Sequence, residues 1–231
     1  MPCTLITGAN RGIGLAMTEH YLQHGWQVHA CCRRPDEASE LQDLARRFPL
    51  LAIHCLDVSD FQAIDHLAQS LSTTPIDLLI NNAGIYGDPA TQRPGAIDYD
   101  SFTELLRVNT LAPVKLTEAL LPQLRLGQRR LVVSLSSLMG SIADNTSGGS
   151  IAYRTSKSAL NATMKTLARD LEAENIHVVI LHPGWVQTAM GGPNAPTSIK
   201  DSVDGLTRLI ASLGPEHCGR FFNFRGEELA W

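Results

Sequence analysis

The chain has 231 residues, enough for one well-buried core built on a single sheet. Its 44% hydrophobic and 18% charged content and net charge of −4 are those of an ordinary soluble protein. No basic block offers nucleic acid an electrostatic footprint, and no apolar run reaches the length of a membrane span.

The apolar pattern predicts strands and helices in strict alternation. In chain order it gives strand Cys3–Thr7, helix Gly12–His24, strand Gln27–Cys32, helix Asp36–Arg47, strand Leu50–Leu56, helix Asp60–Leu71 and strand Leu78–Asn81. Helix Tyr99–Leu124, strand Arg130–Ser136, helix Ile151–Glu174, strand His177–His182, helix Ser198–Leu213 and strand Gly219–Phe222 follow. The strands are almost continuously hydrophobic, as expected where helices cover both faces of a sheet. Alternation implies βαβ units, and right-handed crossovers restrict these to a doubly wound, mostly parallel seven-stranded sheet in one α/β domain over residues 1–231. Two long irregular stretches, Tyr86–Ala96 and Gln187–Thr197, are rich in Gly and Pro and are assigned to the substrate side, with a short substrate loop at about residues 187–199. A first strand beginning at Cys3 leaves no room for a signal peptide. The five cysteines, odd in number and mostly in apolar runs, read as reduced thiols of a cytosolic protein. His20 and His24 lie one helical turn apart but have no third ligand nearby, so no metal is expected.

The first strand runs into Thr7-Gly8-Ala9-Asn10-Arg11-Gly12-Ile13-Gly14. Glycines here permit a tight turn, close approach of backbone to a pyrophosphate and close helix–strand packing, and the next helix points its N-terminus at the phosphates. That is a Rossmann-type signal, with Gly8, Asn10, Arg11, Gly12, Ile13 and Gly14 as the cofactor loop. The second strand ends in Arg33-Arg34 where an NAD site usually carries an acid, and guanidinium groups there suit a 2′-phosphate. NADP(H) is therefore expected in preference to NAD(H), although both arginines also read as solvated loop residues. Asp57, before Val58, can accept from the adenine amino group or belong to the start of the next helix, where Ser59 or Asp60 is the better cap. Asn81-Asn82-Ala83-Gly84 ends the fourth strand with small residues that let the backbone pass the adenosine ribose, or it is a plain turn.

Tyr153 and Lys157 are four residues apart and share a helical face. A fixed ammonium near a phenol lowers its pKa and makes it an acid/base for neutral pH. The pair follows the glycine loop, the Asn-Asn-Ala-Gly turn and the Ser136-Ser137 strand end in order. With Asn109, Pro183-Gly184 and Thr188 these motifs resemble the single-domain short-chain dehydrogenase/reductases over nearly the whole chain. Ser136–Ile142, Gly148-Gly149, Ala152–Lys157, His182–Gly192 and the C-terminal Trp231 resemble a narrower group, the sniffer-type carbonyl reductases and C-factor-like proteins.

The resemblance implies a homo-oligomer, a dimer or tetramer paired through the two long helices. It implies an oxidoreductase that passes hydride between nicotinamide and an aldehyde or ketone. Tyr153 is then the acid/base, Lys157 holds the nicotinamide ribose, Ser137 bonds the carbonyl oxygen and Asn109 holds a relay water. Either Ser136 or Ser137 can fill the serine role, and Ser137 is preferred; alternation along the strand allows only one. Pro183 and Gly184 allow backbone approach to nicotinamide, Val186 beside them also binds the cofactor, and Thr188 bonds the carboxamide or a phosphate. Tyr86, Trp185 and Met190 flank that end as substrate-pocket residues. The C-factor likeness leaves a second possibility, a cofactor-binding signalling protein with little turnover.

Overall fold

The computed structural model describes residues 1–231. Its seven strands are β1 (Cys3–Thr7), β2 (Gln27–Cys32), β3 (Leu51–Cys55), β4 (Leu78–Asn81), β5 (Leu131–Leu135), β6 (His177–His182) and β7 (Phe221–Asn223). They pair in the order β3-β2-β1-β4-β5-β6-β7, and every pairing is parallel, so the Rossmann-type α/β fold is complete and the sheet wholly rather than mostly parallel. The chain winds outward through β1, β2 and β3 and then returns to β4 on the other side of β1. That reversal opens a crevice at the carboxyl ends of β1 and β4.

The eight α-helices are α1 (Gly12–Gln23), α2 (Ser39–Arg47), α3 (Phe61–Ser70), α4 (Tyr99–Leu106), α5 (Ala112–Ala119), α6 (Leu121–Leu126), α7 (Ile151–Asp170) and α8 (Ile199–Ser212). Alternating strand residues feed two cores. Leu5, Leu79, Val132 and Ile180 pack under Leu67 of α3, Leu116 of α5 and Met164 of α7. Ile6, Ile80, Val133 and Leu181 pack under Met17 of α1, Leu41 of α2 and Leu206 of α8. Both faces are thus covered, which is why the strands lack polar alternation. No helix is long and apolar enough to cross a membrane. All five cysteines are unpaired.

Element boundaries differ from the sequence expectation where single residues decide them. Asp60 is the cap of α3, accepting from the Gln62 and Ala63 amides, and Ser198 caps α8. The segment before α2 is a 3-10 turn (Pro35–Glu37) that Ala38 separates from the helix. The single helix expected over Tyr99–Leu124 is α4, a π-helical turn at Arg107–Leu111, α5 and α6. Pro113 lacks the N–H that an α-helix would aim at the Asn109 carbonyl, so the regular ladder cannot run through this point. The helix expected to reach Glu174 ends at Asp170, and Asn175, at φ +55°, turns the chain into β6.

Candidate active site

The loop after β1 is held by side chains from the neighbouring strand end. The Thr7 hydroxyl oxygen accepts from the Asn82 and Ala83 amides, both at 3.1 Å. The Asn82 side-chain amide donates back to the Thr7 carbonyl at 2.8 Å and the Gly8 carbonyl at 3.1 Å. Gly8 and Gly12 both have positive φ, and a Cβ on Gly14 would lie 2.3 Å from the Gly8 oxygen. Only glycine lets α1 start this close to β1. No side chain caps α1 and no acid sits in its first turn, so its N-terminal field is left open to an anion.

A cleft of about 490 Å³ runs from this loop across the sheet's carboxyl edge. Gly8, Asn10, Arg11, Gly12, Ile13 and Gly14 line it, as do Arg33, Asp57, Val58, Asn82, Ala83, Gly84, Pro183 and Thr188. The residues present therefore fit a dinucleotide. A glycine cradle with little room for side chains and an uncapped helix start would suit its phosphates, and Arg33 would suit its adenosine end. Arg34 turns away and pairs with Glu37 at 2.9 Å, because consecutive residues at a strand end point to opposite sides. Burial pushes the Asp57 carboxyl up. The Ser59 hydroxyl and amide bonds at 2.7 and 2.9 Å, with Arg33 and Arg107 nearby, outweigh this and hold it below its ordinary range.

The other end of the cleft is built on α7. Tyr153 is 7% exposed and Lys157 is 6% exposed. The Lys157 ammonium lies 5.9 Å from the Tyr153 ring centre and donates to the Leu135 carbonyl at 2.8 Å. Gly140 makes this approach possible, since a Cβ there would sit 2.8 Å from Lys157 Cβ. Desolvation lowers the Lys157 pKa to about 8. The expectation that this lysine lowers the tyrosine pKa is not met. Burial raises the Tyr153 phenol to about 12, the facing Ser137 hydroxyl draws it down, and nearby Tyr86 adds a smaller upward push. Removal from water dominates here because lysine and tyrosine are sealed together.

The two serines separate as strand alternation requires. Ser137 Oγ faces the Tyr153 phenol and accepts from the Met139 amide at 3.1 Å. Ser136 borders the cleft, but its hydroxyl donates to Asn161 Oδ1 at 2.6 Å. Asn109 is fully buried beside Gly84. Its side chain accepts from the Ile85 amide at 2.9 Å and donates to the Ile85 carbonyl at 2.8 Å and the Ser156 hydroxyl at 3.0 Å. Both amide hydrogens are thus taken, and one lone pair on Oδ1 remains.

Among the expected substrate residues, Tyr86 packs on Tyr153 with ring centres 4.5 Å apart, and Met190 lines the cleft. Trp185 is 58% exposed and bonds the Gly191 carbonyl at 2.7 Å, so it braces the loop from outside. Gly184 and Val186 also sit behind the lining: Gly184 packs against Phe224, and Val186 is buried where it bridges to Thr197. Strand-end position alone points to Cys32 and Leu56, which line the cleft beside Arg33 and Asp57. Gln187 and Ile199, at the two ends of the expected substrate loop, also line it, as does Glu104, which carries no local signal because the fold brings it there from α4.

Comparison with known proteins adds independent weight. The profile of the short chain dehydrogenase family matches residues 2–198. The C-signal protein of Myxococcus xanthus is 47% identical over 164 residues, which are 71% of this chain and 98% of that protein. The carbonyl reductase Sniffer of D. melanogaster superposes with a TM-score of 0.96 at 38% identity, covering 100% of both chains. An NADPH-bound carbonyl reductase from chicken fatty liver superposes with a TM-score of 0.93 at 34% identity, covering 100% of this chain and 99% of that one. Fold, glycine cradle and sequence likeness converge, and the chain belongs to the short-chain dehydrogenase family of oxidoreductases, acting between C=O and CH–OH.

Proposed function

We propose that this protein is an NADPH-dependent carbonyl reductase, or alcohol dehydrogenase in reverse, for small and medium aldehydes and ketones. The observation that carries this reading is the pairing of Tyr153 and Lys157 in the cleft lining, with the Ser137 hydroxyl facing the Tyr153 phenol from behind that lining. When bound, the nicotinamide supplies or accepts the hydride. A phenol with a pKa of about 12 keeps its proton at neutral pH, so Tyr153 is set to donate to a carbonyl oxygen. Ser137 bonds the same oxygen and stabilises charge as it develops there. Lys157 holds a proton close to Tyr153 at a pKa that allows transfer near neutrality. Asn109 fixes Ile85 and Ser156, and the remaining lone pair on its side-chain oxygen can accept from the relay water.

Arg33 and Arg11 support NADP(H) over NAD(H), as does the NADPH-bound chicken reductase. Tyr86 and Met190 support an open apolar substrate site. Free thiols fit a cytosolic protein, and the long helices α4–α5 and α7 offer the faces for a homo-oligomer.

The test is NADPH consumption against a panel of aldehydes, ketones and diketones, with NADH and Tyr153→Phe protein as controls. Expected are turnover with NADPH, weak turnover with NADH and a loss of at least about 100-fold in Tyr153→Phe. A phenylalanine variant with wild-type rates would remove Tyr153 from the mechanism. The C-signal likeness supports a second reading, a cofactor-binding signalling protein. Tight NADPH binding with no turnover on any carbonyl, and a cellular role that survives Tyr153→Phe, would favour it.

A further inference from the structure

The helix that carries Tyr153 begins without a cap of its own. Ser150 occupies the N-cap position of α7, the place where a serine normally bonds the first-turn amides. Its backbone is left-handed (φ 48°, ψ 47°), it makes no side-chain cap, and its hydroxyl is 2.8 Å from the Tyr86 hydroxyl instead. No acidic residue sits in the first turn of α7 either. The orphan amides of a buried helix start must find partners elsewhere.

They find them in Gln92, 61 positions away in the loop between β4 and α4. The Gln92 side-chain oxygen accepts from the Tyr153 amide at 2.8 Å, and its main-chain carbonyl accepts from the Ile151 amide at 3.2 Å. The other end of the same side chain donates to the Tyr86 carbonyl at 2.8 Å and the Asp88 carbonyl at 3.4 Å. Gln92 is 1% exposed and is the sole buried residue between Asn82 and Glu104. Gly87 leaves the space it needs, since a Cβ there would lie 3.1 Å from the Gln92 nitrogen.

We propose that Gln92 is the N-cap of α7 supplied from outside the helix, and that it is a positioning residue for Tyr153. One amide group ties the backbone of Tyr153 to the backbone of Tyr86, whose ring packs on the Tyr153 ring. The chemistry explains the residue type. A carboxylate could serve the helix end, where the dipole favours it, but it has no donor for the Tyr86 carbonyl. A methionine has the length and neither function.

The positioning role rests on the reductase reading, whereas the cap itself does not. The test therefore compares wild type, Gln92→Met and Gln92→Glu by amide hydrogen exchange and by steady-state kinetics with NADPH and a carbonyl substrate. In Gln92→Met, exchange at the Tyr153 amide should accelerate about tenfold while the later turns of α7 stay protected. Its kcat should fall by about 10- to 100-fold with the KM for NADPH within about twofold of wild type. In Gln92→Glu the Tyr153 amide should stay protected and the carbonyl KM should rise more than kcat falls, because only the tether on Tyr86, packed against Tyr153, is released. Unchanged exchange at Tyr153 in Gln92→Met would overturn the cap. Lost protection with an unchanged kcat would overturn the positioning role. An inactive wild type would count against the reductase reading, and the exchange data would still decide the cap.

Discussion

Lys157 shows what the active site costs the fold. A lysine whose pKa falls from 10.5 to about 8 binds its proton more weakly folded than unfolded. Between those two values the unfolded chain holds the extra proton, so this residue makes stability rise with pH across that window. The rise is about 3 kcal/mol in total. Tyr153 works the other way between 10 and about 12, where the folded protein keeps a proton that the unfolded chain loses, so stability falls there. Unfolding free energies of wild type and Lys157→Met, measured from pH 7 to 10, should therefore converge as pH rises, with the variant losing most of the upward slope. Parallel curves would mean that Lys157 keeps an ordinary pKa in the folded protein. At this scale the sequence was legible where chemistry repeats at fixed spacing: Tyr153 and Lys157 can be read because one helical turn separates them. Gln92 could not be read, because its partners are main-chain groups in α7 and in its own loop, and no spacing rule connects them. The partner of Ser136 was equally hidden, since Asn161 faces it only after α7 packs on the sheet.

Among the elements, the β1–α1 junction leaves least freedom. Gly14→Ala would put a methyl carbon 2.3 Å from the Gly8 oxygen and 2.5 Å from Asn82 Nδ2, so the glycine loop or the Asn82 staple must move. The expected loss is about 1–3 kcal/mol of stability, as for other overpacked sites. NADPH binding should weaken while the carbonyl KM changes little, because Tyr153 and Ser137 stand on α7 and beyond β5. Thermal melts and NADPH titration of the variant check both, and wild-type NADPH affinity would show that the loop tolerates the shift. All seven strands and the helices α1, α2, α3, α7 and α8 follow the expected alternation one for one, since hydrophobic periodicity reports burial directly. Their ends did not follow as well. The break at Pro113 and the Ala38 gap depend on single backbone groups inside otherwise helical patterns, which periodicity averages away.

Over the whole molecule, six strand ends contribute to one cleft: the segments after β1 to β6 all line it, while β7 only completes the sheet. This was legible in outline, because parallel strands put all their carboxyl ends on one edge. The parts of the cleft that come from α4 and the π-helical turn after it, Glu104 and Val108, were not. A ligand that touches segments so far apart in sequence binds the folded chain and not the unfolded one. NADP(H) at 100 times its Kd should add about 2.7 kcal/mol, which for a chain of this size is a rise of roughly 5–10 °C in melting temperature. Melts with NADP(H) and NAD(H) at equal concentration should rank the two cofactors by the size of that rise, and equal shifts would remove the role given to Arg33.

The shared cleft also bears on how long each copy survives in a cell. When a protease removes the unfolded fraction, turnover follows the population that opens. Copies carrying dinucleotide are withdrawn from that population and empty copies are not. Abundance of the protein should then rise and fall with the supply of its own redox currency, without a sensor domain or a transcriptional signal.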